Sequence, residues 1–233
     1  MRFFYTLKND IRFQVKYGFY FLYAFFSLVY MALLILTPPE YKNMVASLII
    51  LTDPAMLGVF FMGGLWLLEK GEGLHGFWSV SPLRPLEYVL SKAISLAALS
   101  TVSSVLIVSL AMGRSVRLGG LAGCVFAGAV VFNLIGLMTA SFAHSVNHYM
   151  IIVILPSVVL AIPPVLTAFG VTHPVLELFP GTALWRMIAS AMGMAGGAGV
   201  LSWLNMILWF GILLYMANGR IRNALGAQGG ACI

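Results

Sequence analysis

The chain has 233 residues, of which 61% are hydrophobic and 9% charged, and its formal net charge is +6. A soluble domain of this size cannot bury so much apolar surface, and apolar runs of 18 or more residues are typical of membrane helices. The composition therefore predicts an all-α, multi-pass membrane protein. The basic residues are spread over the loops, so orientation in a membrane explains them better than nucleic-acid binding does.

Residues 1–16 predict an amphipathic helix that lies on the membrane surface. Apolar side chains recur at helical spacing and basic ones interleave with them: Phe3, Phe4, Leu7, Ile11 and Val15, with Lys8, Arg12 and Lys16. This combination is typical of interfacial helices. A plain basic flank of the first membrane span is the alternative.

Six apolar stretches follow, each long enough to cross the hydrocarbon, which takes about 20 residues. They are residues 17–37, 43–68, 86–112, 119–142, 149–168 and 199–217. We expect residues 17–217 to form one six-helix domain and the polar tail, 218–233, to be cytoplasmic and disordered. With six spans, nine Lys and Arg lie on the side of both termini and four on the other, so both termini are predicted to be cytoplasmic.

Two polar residues inside the predicted spans are candidates for a substrate path. Asp53 precedes Pro54 in the second span, and a carboxylate there is costly unless it has a function or caps a shorter helix. Both explanations stay open. For Asn133, in the fourth span, an interhelical hydrogen bond is favoured.

The segment after the fourth span is rich in proline. Pro163 and Pro164 predict that the fifth span ends or bends there, and they complete the candidate substrate path. Residues 170–197 predict an outer re-entrant hairpin, with a short helix at 182–192. A seventh span is the alternative, but it would place Arg220 and Arg222 outside.

Several patterns carry little chemistry. GEGLHG (71–76) matches a dinucleotide-binding pattern but follows a membrane span rather than a strand, and no P-loop occurs in the sequence. His144 and His148 are four residues apart, but no third or fourth ligand lies nearby, so no metal site is predicted. Cys124 and Cys232 do not indicate a disulfide framework. We assign no catalytic residue.

The densest polar stretch is LLEKGEGLHGFWSVSPLRPLEYVLSKAISL, residues 67–96. An acid-base-acid cluster is followed by two aromatic residues, a Ser-Pro-Leu-Arg segment, and a helix that starts near Glu87 and carries Lys92. This arrangement resembles the loop between the second and third spans of ABC-2 type transporter permeases. The runs FFMGGLWLLEK and IPPVL, with the PVLELFP that follows, are most similar to bacterial permeases assigned to fluoroquinolone export.

The resemblance covers nearly the whole chain and implies a mechanism. Loop 69–85 would contain a coupling helix that docks on a separate ATPase subunit. The residues implied in coupling are Glu69, Glu72, Phe77, Trp78, Ser81, Pro82, Leu83 and Arg84. The cluster lacks an arginine often found there, which leaves the choice of partner open.

The implied assembly is a non-catalytic membrane subunit in a bacterial inner membrane, paired with a second permease chain of the same or a different kind. Two ABC ATPase subunits would hold ATP and Mg, and this chain would carry no cofactor. The apolar composition suits export of an amphiphilic drug, lipid or hydrophobic peptide, and hence a role in multidrug resistance. The alternatives are an ATP-independent secondary carrier or channel, and an intramembrane enzyme that uses Glu72 or His144.

Overall fold

The structure is a computed structural model that describes residues 2–52, 57–81, 83–112, 116–194 and 199–229. Over these residues the chain is helical, as predicted, and has no strand. The helices are α1 Arg2–Lys16, α2 Phe19–Leu36, α3 Lys42–Thr52, α4 Val59–Gly71, α5 Leu74–Val80, α6 Pro85–Met112, α7 Leu118–Ala140, α8 Val146–Ile152, α9 Ile154–Ala168, a 3₁₀ helix Pro174–Leu178, α10 Pro180–Ala191 and α11 Val200–Gly229.

Among the described residues, five helical segments are long and apolar enough to cross a membrane. They are Phe19–Leu36, Pro85–Met112, Leu118–Ala140, Val146–Ala168, which joins α8 and α9, and Val200–Asn223 within α11. Large apolar side chains are exposed along α2, α9 and α11, as expected for helices that face lipid.

The predicted second span, 43–68, contains two helical segments among the described residues. α3 is described as far as Thr52, residues 57 and 58 form a π-helical turn, and α4 begins at Val59. Asp53 lies outside the described residues. Neither half alone is long enough to cross a membrane, so the count of six spans depends on α3 and α4 crossing together.

The fifth span does not end at Pro163 and Pro164, because α9 continues through both to Ala168. The predicted bend at this pair stays a prediction. Prolines remove backbone donors, so they are tolerated in a membrane helix where a neighbouring helix packs closely. Both prolines are buried, and a Cβ added to Gly181 of α10 would overlap the carbonyl oxygen of Leu160. The lack of a side chain at Gly181 therefore lets α10 pack directly against this part of α9.

The sixth span also ends later than predicted, and the described part of the tail, 218–229, is helical where disorder was expected. α11 continues past residue 217 to Gly229. Ala217 and Ile221 are fully buried, and α11 packs there against α5. These tertiary contacts supply the apolar burial that the local sequence of the tail lacks.

The bundle has two ends, which we name by the helices that lie there. The α1 end holds α1, α5, the start of α6 and the last turns of α11. The α10 end holds α10, the 3₁₀ helix and the first turns of α11. α7 runs between them as the central helix and is the most completely buried of the candidate spans.

Candidate functional site

Lys92 on α6 is the centre of a buried ionic cluster at the α1 end. Its Nζ lies 2.9 Å from Asp10 Oδ1 on α1 and also bonds Glu69 Oε1 on α4. The three side chains are at most 1% exposed. One ammonium group therefore connects three helices, and we call this group the Lys92 cluster.

Every carboxylate oxygen of the Lys92 cluster accepts a hydrogen bond. The Tyr88 hydroxyl donates to Glu69 Oε2 at 2.6 Å, and the Ser91 hydroxyl donates to Asp10 Oδ2. Lys92 Nζ also lies 4.6 Å from the centre of the Tyr88 ring. Buried ion pairs persist only when their remaining hydrogen-bonding sites are satisfied, and this cluster meets that condition.

α1 has three different faces. Its protein face buries Thr6, Asp10, Phe13 and Gln14, and Gln14 Nε2 donates to Ser95 Oγ of α6 at 2.6 Å. Phe4, Ile11 and Val15 form an exposed apolar face, and the exposed basic side chains lie beside it. Exposed apolar and basic faces side by side are the arrangement of a helix at a membrane surface.

The predicted coupling loop contains a short helix, α5, whose aromatic residues face different ways. Phe77 is 61% exposed, whereas Trp78 is half-buried with its ring centre 6.0 Å from that of Tyr88. Leu83 also packs partly against the core. Phe77 is therefore the most accessible apolar side chain of this helix among those whose side chains are described.

The charged residues predicted for coupling are divided between core and surface. Glu69 lies in the Lys92 cluster, whereas Glu72 is at the surface, 3.5 Å from Lys16 of α1. Arg84 is exposed, and its backbone N–H donates to Glu87 Oε2 at 3.0 Å. Ser81 Oγ accepts from the Leu83 N–H at 3.3 Å, and Pro82 lies outside the described residues.

His75 of α5 is a buried residue that sequence reasoning missed. Its ring centre lies 4.1 Å from that of Trp66 on α4. Burial, together with the positive charges of Lys92 and Lys70, lowers the pKa of His75 to about 4. The imidazole is therefore neutral at neutral pH and packs α5 against α4 as an aromatic ring.

The predicted substrate-path residues have different neighbours. Asn133 Nδ2 donates to the Ala93 carbonyl of α6 at 3.0 Å, so the favoured interhelical hydrogen bond is present. Pro163 and Pro164 are buried in α9, where Pro164 packs beside Gly181 of α10. These contacts do not bring Asn133 together with the prolines.

The two histidines considered for a metal site stack on one another. Their ring centres are 5.5 Å apart, and the His144 N–H donates to His148 Nδ1 at 3.4 Å. Within the described part of the chain, no group of three or more His, Cys, Asp or Glu is placed to share a metal ion.

Sequence comparison decides the family. The sequence model of the Fluoroquinolones export permease protein family matches residues 1–203, which include all three charged members of the Lys92 cluster. The chain belongs to this family. The resemblance to fluoroquinolone-export permeases is therefore confirmed, and the protein is a multi-pass membrane transport permease.

Two curated relatives of the permease carry the same family name. They are the Fluoroquinolones export permease proteins of the Mycobacterium tuberculosis strains CDC 1551 / Oshkosh and ATCC 25618 / H37Rv. Each is 27% identical over 176 residues, which cover 75% of this chain and 74% of the relative.

Proposed function

We propose that this permease is the membrane subunit of an ABC-2 type exporter that moves an amphiphilic substrate outward, powered by a separate ATPase. One observation carries the proposal. The Lys92 cluster connects α1, α4 and α6 at the end of the bundle where α5 presents the exposed Phe77. A membrane subunit driven by a partner needs such a surface and a firm connection from it to the spans.

The coupling surface would consist of Phe77, Leu83, Glu72 and Arg84. Phe77 would enter an apolar groove of the ATPase, since an exposed aromatic side chain is a typical interface anchor. Movement of α5 would reach α4 through the packing of His75 on Trp66. Lys92 would then transmit it to α6 and α1, because breaking a buried, fully bonded charge cluster is costly.

The proposed assembly contains two ATPase subunits, which hold ATP and Mg, and a second permease chain. α3 and α4 together would cross the bacterial inner membrane as the second span, which would bring the number of spans to six. The α1 end would be cytoplasmic by the distribution of basic residues. The substrate path would run between the two permease chains, near the α3–α4 junction and α9, with α10 on the outer side.

The test is co-purification with matched variants. The tagged chain is purified from its own host in mild detergent with a non-hydrolysable nucleotide, and bound proteins are identified by mass spectrometry. We expect an ATPase in near-equal amount, lost in Phe77→Glu and kept in Phe142→Glu, which changes another exposed aromatic residue at the α1 end. An absent ATPase, or equal recovery with both variants, contradicts the proposal.

A secondary carrier is the second candidate, and the π-helical turn at residues 57 and 58 favours it. Carriers bind substrates and ions where membrane helices are interrupted. The π-helical turn leads into α4, and a buried Asn133 lies beside Gly58 at the start of α4. A transport assay in proteoliposomes that contain only this chain distinguishes a carrier from an ATPase-driven exporter. Transport driven by a proton or sodium gradient without ATPase would support the carrier.

A further inference from the structure

A cavity of about 690 Å³ lies at the α10 end, between the 3₁₀ helix, α10 and the first turns of α11. Glu177 and Arg186 supply its charged lining. Leu201, Leu204 and Leu208 supply an apolar lining along α11, and all three are exposed. The cavity, which we call the α10 cavity, therefore combines both signs of charge with an uncovered apolar strip.

Arg186 and Glu177 satisfy only part of each other's hydrogen-bonding capacity. Nη2 of Arg186 bonds Oε1 of Glu177, and the side chains are 36% and 40% exposed. A guanidinium has five N–H donors and a carboxylate has two acceptor oxygens. Within the described residues, Glu177 Oε2 and the other two guanidinium nitrogens make no side-chain hydrogen bond. The pair thus keeps donors and an acceptor for a ligand.

The lining of the α10 cavity is held in place and has an unused polar atom. Asn205 Nδ2 donates to the Glu177 carbonyl at 2.7 Å, and Trp209 Nε1 donates to the Leu178 carbonyl at 2.8 Å. Both bonds fasten the 3₁₀ helix to α11. The buried Asn205 Oδ1 has no hydrogen-bond partner within the described residues. A site fixed before binding and holding an unsatisfied acceptor is organised for a polar ligand.

We propose that the α10 cavity binds a zwitterionic amphiphile. Its anionic group would bond the free N–H groups of Arg186, and its cationic group would meet Glu177 Oε2 and Asn205 Oδ1. Its apolar body would cover the leucine strip of α11. Arginine suits the anionic end because its planar fork binds carboxylate and phosphate in a bidentate manner.

Two sources can supply this chemistry. One is the headgroup of a zwitterionic phospholipid from the surrounding leaflet. The other is an exported drug that carries both a carboxylate and a protonated amine, as many fluoroquinolones do. The drug source rests on the proposed export function, whereas the lipid source does not.

The experiment measures binding to the purified chain in detergent, without any ATPase. Its probes are norfloxacin, followed by its own fluorescence, its carboxyl ethyl ester, and a short-chain phosphatidylethanolamine, whose binding is followed directly by titration calorimetry and also by competition with norfloxacin. Binding of norfloxacin or of phosphatidylethanolamine is expected to weaken roughly tenfold or more in Arg186→Gln. Arg117→Gln is the control, because Arg117 is exposed at the same end but does not line the cavity.

The outcomes separate the sources and the proposals. Tighter binding of norfloxacin than of its ester, lost in Arg186→Gln, supports the drug source. Arg186-dependent binding of phosphatidylethanolamine alone supports the lipid source. If neither probe binds, or if both arginine variants bind equally, the inference is overturned. No ATPase is present, so a failure of the coupling proposal leaves these results unchanged.

Discussion

The two ends of this permease hold ion pairs of opposite character. At the α1 end, Lys92 and its two carboxylates are almost fully buried and every carboxylate oxygen is bonded. At the α10 end, Arg186 and Glu177 are more than a third exposed and only one oxygen is used. Charge that is buried and satisfied fixes helices relative to one another, whereas charge that stays half-exposed remains available for binding.

The largest expected effect is at Lys92. Lys92→Met leaves Asp10 and Glu69 buried without a cation, so we expect a loss of about 3–5 kcal/mol of stability. Thermal unfolding in detergent measures the loss. Lys16→Met is the matched control, because Lys16 is 67% exposed and its pairing with Glu72 contributes little.

A combined variant distinguishes charge from packing at the same site. Asp10→Asn and Glu69→Gln added to Lys92→Met remove the unpaired carboxylates, so part of the lost stability should return. If the triple variant is no more stable than Lys92→Met alone, the cluster acts by shape rather than by charge. That result would remove the contrast between the two ends.

The next effect in size is the acid sensitivity of His75. Its pKa is about 4 in the folded protein and about 6.5 unfolded, so the unfolded state binds the proton more readily between these values. This stability is fully present above pH 6.5 and falls by about 2 kcal/mol at pH 5. We therefore expect His75→Phe to lose less stability between pH 7.5 and pH 5 than the native chain loses, as measured by thermal unfolding at the two pH values. His144→Phe is the control, because His144 is exposed, and equal acid sensitivity in both variants would contradict this account.

At the α10 end, backbone packing should matter more than charge. Gly181→Ala places a methyl group against the Leu160 carbonyl, and overpacking of this kind costs about 1–3 kcal/mol. Gly211→Ala on α11 meets no atom within 4 Å and should not destabilise the protein. Unfolding midpoints compare the two, and equal midpoints would show that α10 can shift away from α9 without cost.

The smallest expected effect is at Glu177. Glu177→Gln should change stability by less than about 1 kcal/mol, because the ion pair is open to its surroundings. The same unfolding assay measures it beside Lys92→Met. A loss as large as that of Lys92→Met would make the α10 pair a structural contact and remove the difference between the two ends.

Much of the helical layout could be predicted because it depends on local patterns. The apolar runs predicted the five candidate spans, the spacing of residues 1–16 predicted α1, and the short helix predicted at 182–192 is present as α10, which begins two residues earlier. The continuation of α9 through its prolines could not be predicted in this way. It depends on α10, which lies against α9 only in the folded chain.

The Lys92 cluster shows the limit most clearly. The loop pattern singled out Glu69 and Lys92, but Asp10 is 82 positions away from Lys92 along the chain. In the sequence Asp10 is one acid within a basic helix, and no local rule assigns it to the protein face. The Asp10–Lys92 contact exists because α1 packs against α6.

The sequence by itself determined that this protein crosses a membrane and roughly where, because the hydrocarbon layer acts on contiguous apolar segments. It also determined the family. Only the tertiary structure decided which charges are buried together and which stay open to a ligand. Pairing between distant helices is set by packing, and a charge has no fixed cost until its burial and its partners are known.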